Sequence, residues 1–195
     1  PVAGLVAFLV FFTAQRAFEL VLSARSARRL LARGGEEHGR GHFPMLVVLH
    51  TLFPLALAAE VLGLGAHPGR LAPLWVTLWG AAQVLRWTAM RALGERWNTR
   101  VIVVPGEPLV QRGPYRWLRH PNYLAVVVEF LAAPLMFGAW GTALVFSAAN
   151  LVALHVRIRC EERVLAEAVA GPSPGERERA RGNGRERKRE PQRRA

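Results

Sequence analysis

Cysteine is all but missing from this chain: Cys160 is the single one in 195 residues. That excludes an internal disulfide and a zinc site built on cysteines. In its charged surroundings Cys160 reads as a small filler on a helix. Lysine is as scarce, one among 26 basic residues, a bias toward arginine that genomic base composition can produce. No Gly-x-Gly-x-x-Gly turn opens a helix after a strand, which argues against a dinucleotide-binding Rossmann unit. No nucleic-acid module is visible despite a net charge of +12. The arginines lie beside apolar blocks and in the tail, where anionic lipid headgroups are the natural counter-surface. His50 and His155 stand apart from other metal-ligating residue types, so no metal is expected. No internal repeat is evident. The first apolar block has neither a basic leader nor a small-residue cleavage site and is expected to be a retained span.

What is present is hydrophobicity in blocks, 51% of the residues in all. Several blocks approach the roughly 20 residues that a membrane helix needs. The expected spans are Val2 to Leu22, Phe43 to Leu64 (with Pro54 inside), Leu71 to Leu93, Pro121 to Phe137 and Trp140 to Val156. The arginine-rich stretch from Ser23 to His42, with Gly34-Gly35, reads as an exposed loop. Residues 94–120 alternate arginines with Val101-Ile-Val-Val104 and the turns Pro105-Gly106 and Gly113-Pro114. They are too polar to span and too apolar to hang free, so they read as a folded interfacial segment. The last two spans form a hairpin through Gly138-Ala-Trp. Beyond Ala170 the chain has too few apolar residues to offset chain entropy and is expected to be disordered. The fold class is therefore an all-α integral membrane protein of about five spans, with a membrane-embedded domain over 1–170 and a basic tail over 171–195.

Counting basic residues at each turn sets the orientation. The segments after spans one and three are rich in arginine, whereas the turns after spans two and four have one basic residue and none. The expected arrangement has the N-terminus outside and the C-terminus in the cytoplasm, in a bacterial cell membrane.

Two motifs then face the cytoplasm: Arg112-Gly-Pro-Tyr-Arg-Trp-Leu-Arg-His-Pro-Asn-Tyr123 and Arg157-Ile-Arg-Cys-Glu-Glu-Arg-Val-Leu165. At about 100° per residue, Asn150, Leu154, Arg157, Glu161 and Leu165 share one helix face, and Glu162 lies about a quarter turn away. An Arg157–Glu161 ion pair would be the structural reading. It leaves unexplained two adjacent carboxylates at a helix C-terminus, which the helix dipole disfavours. Pro121 suits a first helical turn, and Arg116 and Trp117 read as interfacial anchors. His120 and Tyr123 sit beside the Gly-Pro turn, where the hairpin should carry them to the glutamates. Glu19, Glu60, Arg86 and Glu129 read as structural, with Arg86 expected to find Glu19 or Glu129.

Gly113-Pro-Tyr-x-x-x-Arg119-His120-Pro121-x-Tyr123, followed after a hairpin by Arg157-Ile-x-x-Glu161-Glu162-x-x-Leu165, resembles the isoprenylcysteine carboxyl methyltransferase family. Arg33-Gly-Gly-Glu36, His42-x-Pro44-Met45, His50, Leu93-Gly94-x-x-Trp97-Asn98-Thr99-Arg100 and Arg119-His-Pro-Asn-Tyr123 look like hallmarks of its short bacterial branch. Some members of that branch resemble O-methyltransferases of alkylpyrones or alkylresorcinols. The resemblance covers about residues 10–168 and implies S-adenosylmethionine as cofactor. It implies that Arg119, His120, Tyr123, Glu161 and Glu162, with Asn150 on the same helix face, line the cofactor site. It also implies that Arg157 and Glu161 face the reacting centre. The acceptor it implies is an amphipathic lipid, either an alkylpyrone or alkylresorcinol polyketide or an isoprenylcysteine-like carboxylate. The family's folded, aromatic-bearing ending after the glutamate pair gives way here to Gly171-Pro-Ser-Pro-Gly and an Arg/Glu run. Two alternatives stand beside this reading: a membrane reductase with a nicotinamide cofactor, and a non-enzymatic scaffold whose basic tail holds anionic lipid. The residues leave the oligomeric state open.

Overall fold

The computed structural model describes residues 2–39, 41, 43–105 and 107–170. The expectations for Arg40, His42, Gly106 and the 171–195 tail fall outside them. Among the described residues there are five helices: α1 (Val2–Ala32), α2 (Phe43–Gly63), α3 (Ala72–Leu93), α4 (Pro121–Met136) and α5 (Trp140–Ala170). Three of them, α1, α2 and α5, are long and apolar enough to cross a membrane. The fourth helix is shorter, and α3 carries Gln83 and Arg86. Apolar side chains on the outside confirm the solvent: Leu55, Val84, Leu144 and Val152 are each more than half exposed. Water would not tolerate such a surface, and hydrocarbon does. The protein is an all-α integral membrane protein.

Proline in the first turn opens both α3 and α4, where the missing N–H costs nothing. Between α3 and α4, buried alanines on both sides (Ala82, Ala89 and Ala92 against Ala125, Ala132 and Ala133) bring the backbones close. A core of Phe8, Phe12, Phe53, Leu57 and Phe130 joins α1, α2 and α4, with the Phe53 and Phe130 rings 4.5 Å apart. At the α4–α5 hairpin, Gly138 adopts φ +74, a left-handed conformation that glycine takes without strain.

The first helix corrects an expectation. Of the stretch Ser23 to His42, residues 23–39 are not an exposed loop: α1 continues to Ala32, and Glu36–His38 forms a short strand, β1. The reason is helical spacing. Ser23, Ser26, Ala27 and Leu30 are buried, while Arg25, Arg28 and Arg29 face outward, so the arginines form the solvated side of an amphipathic extension. The mixed segment 94–120 holds a second strand, β2 (Val101–Val103), paired antiparallel with β1 in the register Glu37 to Ile102. The Ser23 hydroxyl ties this segment to α1 through Asn98 at 2.9 Å and Thr99 at 2.7 Å.

Charged groups inside the helix bundle pair with one another. Arg86 lies 3.4 Å from Glu19 and also donates to Glu129. Arg16 lies 3.0 Å from Glu19 and 3.5 Å from Glu129. Gln83 donates to Glu129 at 3.0 Å, and Gln15 to Gln83 at 2.8 Å. Arg86 thus takes both expected carboxylates rather than one. Glu60 finds no cation among the described residues; it accepts from the backbone N–H groups of Gly141 at 2.9 Å and Thr142 at 2.6 Å. A helix N-terminus has unpaired donors and a positive dipole end, so Glu60 pins the start of α5.

Candidate active site

Two chambers in the structure share one wall. The larger, about 780 Å³, lies beneath β2, Val104 and residues 107–111, between the start of α4 and the last turns of α5. The smaller, about 200 Å³, lies among all five helices, largely within the spans and against residues 97–99. We call them the surface chamber and the membrane chamber. Trp97, Asn98, Asn122, Tyr123 and Arg157 line both.

Tyr123 is the centre of that wall. Its hydroxyl accepts from Arg157 Nε at 2.7 Å and donates to a carboxylate oxygen of Glu161. The Arg157 guanidinium also lies over the Tyr123 ring, 5.5 Å from its centroid, a favourable cation–π position. The helical phase puts Arg157 and Glu161 on one face, and the hairpin brings the start of α4 against that face. They are therefore linked through the phenol of Tyr123 and not by a direct ion pair. Glu162 points the other way: His120 Nε2 lies 3.3 Å and Arg119 3.8 Å from its Oε1. The His120 ring stacks on Tyr123, with centroids 5.3 Å apart at 18°. One turn of helix thus serves two clusters, Glu161 with Tyr123 and Arg157, and Glu162 with His120 and Arg119.

Of the residues named from the sequence, Arg119, His120, Tyr123, Arg157, Glu161 and Glu162 all line the surface chamber. Asn150 does not. It shares their helix face but lies seven residues below Arg157, about 10 Å along the axis. It is fully buried, lines neither chamber, and its amide has no hydrogen-bond partner among the described residues. Helical phase gives direction but not depth. Trp117, read as an anchor, is 80% exposed.

Sequence reasoning passed over Asn122, which lines both chambers. Its signal was available inside His120-Pro-Asn-Tyr123, where only its neighbours were given a role. Tyr115, from the same motif, lines the surface chamber as well. Burial, and after it the Glu161 carboxylate, pushes the Tyr115 phenol far above the ordinary range. It stays a neutral hydrogen-bonding group at physiological pH. The rim is held by charge: Glu107 pairs with Arg33 and, at 2.9 Å, with Arg96, while Arg29 lies 2.5 Å from Glu95. No cluster of metal-ligating side chains occurs among the described residues.

The sequence profile of the isoprenylcysteine carboxyl methyltransferase family matches residues 75–167, the stretch that supplies Tyr123, Arg157 and both glutamates. A protein of Bacillus subtilis (strain 168), described as uncharacterized protein YpbQ, is 39% identical over 166 residues, 84% of this chain and 95% of that protein. The chain belongs to the isoprenylcysteine carboxyl methyltransferase family. A protein of Haemophilus influenzae (strain ATCC 51907 / DSM 11121 / KW20 / Rd), described only as uncharacterized, is 25% identical over 152 residues, 77% of this chain and 88% of that protein. No solved structure matches. Membership makes this a membrane protein of a methyltransferase family, and the Tyr123 wall lies within the matched region.

Proposed function

We propose that this protein is an S-adenosylmethionine-dependent O-methyltransferase acting on a lipophilic acceptor, with cofactor in the surface chamber and acceptor reaching the shared wall from the membrane chamber. The observation that carries the reading is the Arg157–Tyr123–Glu161 relay, set in a wall between a large polar-rimmed chamber and a small one within the spans. The surface chamber, at about 780 Å³, falls in the range of small-molecule sites, roughly 300–1,000 Å³. Its donor set fits the group: carboxylates and aromatic faces suit a sulfonium, and Arg119 and His120 suit a carboxylate.

The cofactor supplies an electrophilic methyl on a positively charged sulfur, so that one C–O bond forms as one C–S bond breaks and a neutral thioether leaves. The chain's task is alignment and charge. Glu161 and the Tyr123 ring face the positive side of the wall. Arg157, on the acceptor side, stabilises an oxygen that carries or develops negative charge. A carboxylate or acidic enol acceptor is already ionised at neutral pH. A phenol, with an ordinary pKa near about 10, gives up its proton through the Tyr123 hydroxyl to Glu161. His120 and Arg119 hold Glu162 and support the cofactor end.

Orientation follows the charge on the structure. The rim carries Arg29, Arg33, Arg96, Arg100 and Arg119, while the opposite end, around residues 65–70 and 137–139, has Arg70 alone as an arginine. This supports a cytoplasmic surface chamber and C-terminus in a bacterial cell membrane. Titrating detergent-solubilised full chain with S-adenosylmethionine and with NADPH tests the reading. The expected result is saturable binding of the first, with transfer of its labelled methyl to lipid acceptors. Binding of NADPH alone overturns it in favour of a reductase.

A further inference from the structure

Two ligands held in separate chambers meet only at the wall between them, so the residues that line both chambers are in reach of the group that crosses. Trp97, Asn98, Asn122, Tyr123 and Arg157 do so. Four of these either have their polar atoms committed or carry no acceptor. The Asn98 oxygen accepts from the Ser23 hydroxyl at 2.9 Å and from the Arg100 backbone N–H at 2.8 Å, and its nitrogen donates to the Ser23 carbonyl at 3.3 Å. The Tyr123 hydroxyl stands between Arg157 and Glu161. The Arg157 guanidinium and the Trp97 indole N–H are donors alone.

Asn122 differs. It is the second residue of α4, directly after Pro121, and half-buried. Its Oδ1 is enclosed without a hydrogen-bond partner among the described residues, and its Nδ2 has none there either. Of the side chains in the shared wall, Asn122 alone holds an oxygen with no partner. Such an amide costs stability until a ligand or water meets it. Nothing on the chain fixes which end it presents to the chambers, because the last torsion of asparagine is broad and here no hydrogen bond holds it. A bound group therefore selects the end: the oxygen for a positive partner, the N–H for a negative one. On the methyltransferase reading the group at this wall is a methyl on a positively charged sulfur. Its C–H bonds are polarised toward an oxygen, and the charge strengthens a C–H···O contact.

We propose that Asn122 turns its side-chain oxygen to the methyl group of S-adenosylmethionine, and that this contact distinguishes the methylated cofactor from the spent one. The inference rests on the methyltransferase reading and adds to it a residue that senses the methyl itself. The contact exists before transfer and lapses after it, since the neutral thioether has neither the methyl nor the charge. Glu161 and the Tyr123 ring answer the charge on sulfur, whereas the Asn122 oxygen answers its direction. Loss of that contact weakens the hold on spent cofactor and favours its replacement.

The test is calorimetry on the full chain in lipid nanodiscs at pH 8, with no methyl acceptor present, so that binding is read without turnover. Three ligands are compared: S-adenosylmethionine, S-adenosylhomocysteine, and sinefungin, in which an ammonium group on carbon replaces the methylsulfonium. In Asn122→Leu, of similar size but without an oxygen, the affinity ratio of S-adenosylmethionine to S-adenosylhomocysteine should fall by about fivefold, the scale of one C–H···O contact to a charged group. The affinity for S-adenosylhomocysteine should itself hold within about twofold. Sinefungin should lose more than S-adenosylmethionine, because its N–H is the stronger donor. Asn122→Asp keeps an oxygen in place and adds negative charge, so the ratio should rise above that of the unaltered protein. A ratio that Asn122→Leu leaves unmoved overturns the inference, whether the amide then holds water or the acceptor. An equal loss for all three ligands marks a structural role and overturns it as well, as does a ratio that Asn122→Asp fails to raise. Each of these outcomes leaves the methyltransferase standing, since the unaltered protein still binds the cofactor. Absence of binding of any of the three to the unaltered protein sinks both.

Discussion

Two polar clusters, both partly buried and both built from arginine and glutamate, differ in how they are closed. Inside the bundle, Arg16, Glu19, Arg86 and Glu129 balance two positive against two negative charges, and Gln83 fills in around Glu129. At the rim, Arg157 reaches Glu161 only through the Tyr123 hydroxyl, while Glu162 remains half exposed beside His120. The first cluster spends its hydrogen bonds on itself, apart from the buried Nε groups of Arg16 and Arg86. The second leaves capacity facing two chambers. Charge at membrane depth therefore divides by completeness: a closed set holds helices together, and an open set can do chemistry.

Breaking the closed set should have the largest effect. Glu129→Ala leaves two buried arginines to share the single carboxylate of Glu19, one positive charge in excess, a loss of about 3–5 kcal/mol. Thermal unfolding in detergent should show a collapse in Tm or no folded protein. The double change Arg86→Met with Glu129→Met should recover much of that loss, because a buried pair replaced by apolar groups of similar volume is often neutral. Opening the other cluster should leave the fold alone. Glu161→Gln removes the charge facing the wall and the final proton acceptor, and methyl transfer to a phenolic lipid should fall at least about 100-fold with Tm unchanged. Against an already ionised carboxylate the fall should be smaller, which separates the base role from the electrostatic one. Tyr123→Phe keeps the ring under Arg157 but removes the bridging hydroxyl. With an already ionised acceptor, which needs no proton route, a loss of about tenfold in kcat/KM is expected, the scale of one or two hydrogen bonds. Glu60→Ala, remote from both clusters, should cost about 1 kcal/mol through the uncapped start of α5, read as a drop of a few degrees in Tm with methyl transfer intact.

Much of this was legible from the residues. Proline and glycine punctuate the chain where α3 and α4 begin and where the hairpin turns, so those ends were expected within a residue. The end of α1 was not, because a run of arginines hides the buried stripe Ser23, Ser26, Ala27 and Leu30. The β1–β2 pair was not legible either: strands of three residues are set by what they pack against, and they carry too little periodicity to announce themselves. At the site, helical phase brought Arg157 and Glu161 to one face, and the short hairpin brought Tyr123 to meet them. Which hydroxyl would sit between them depends on the rotation of α4 against α5, a tertiary quantity. Asn150 marks the same limit from the other side, aligned in phase and too deep in position. The membrane chamber was not visible at all, since Arg16, His50 and Leu154 come from three helices far apart in the chain.

The shared wall has a kinetic consequence. Its two sides open onto different media, one bordered by the arginine-rich rim and one by the lipid-facing surface of α1 and α2. On the proposed reading, the spent, water-soluble thioether and the methylated, more apolar lipid depart by separate doors, and neither has to wait for the other. Such a catalyst has no built-in queue. Initial-rate patterns should intersect in either order of addition, and each product should compete only with the substrate that enters by its own door.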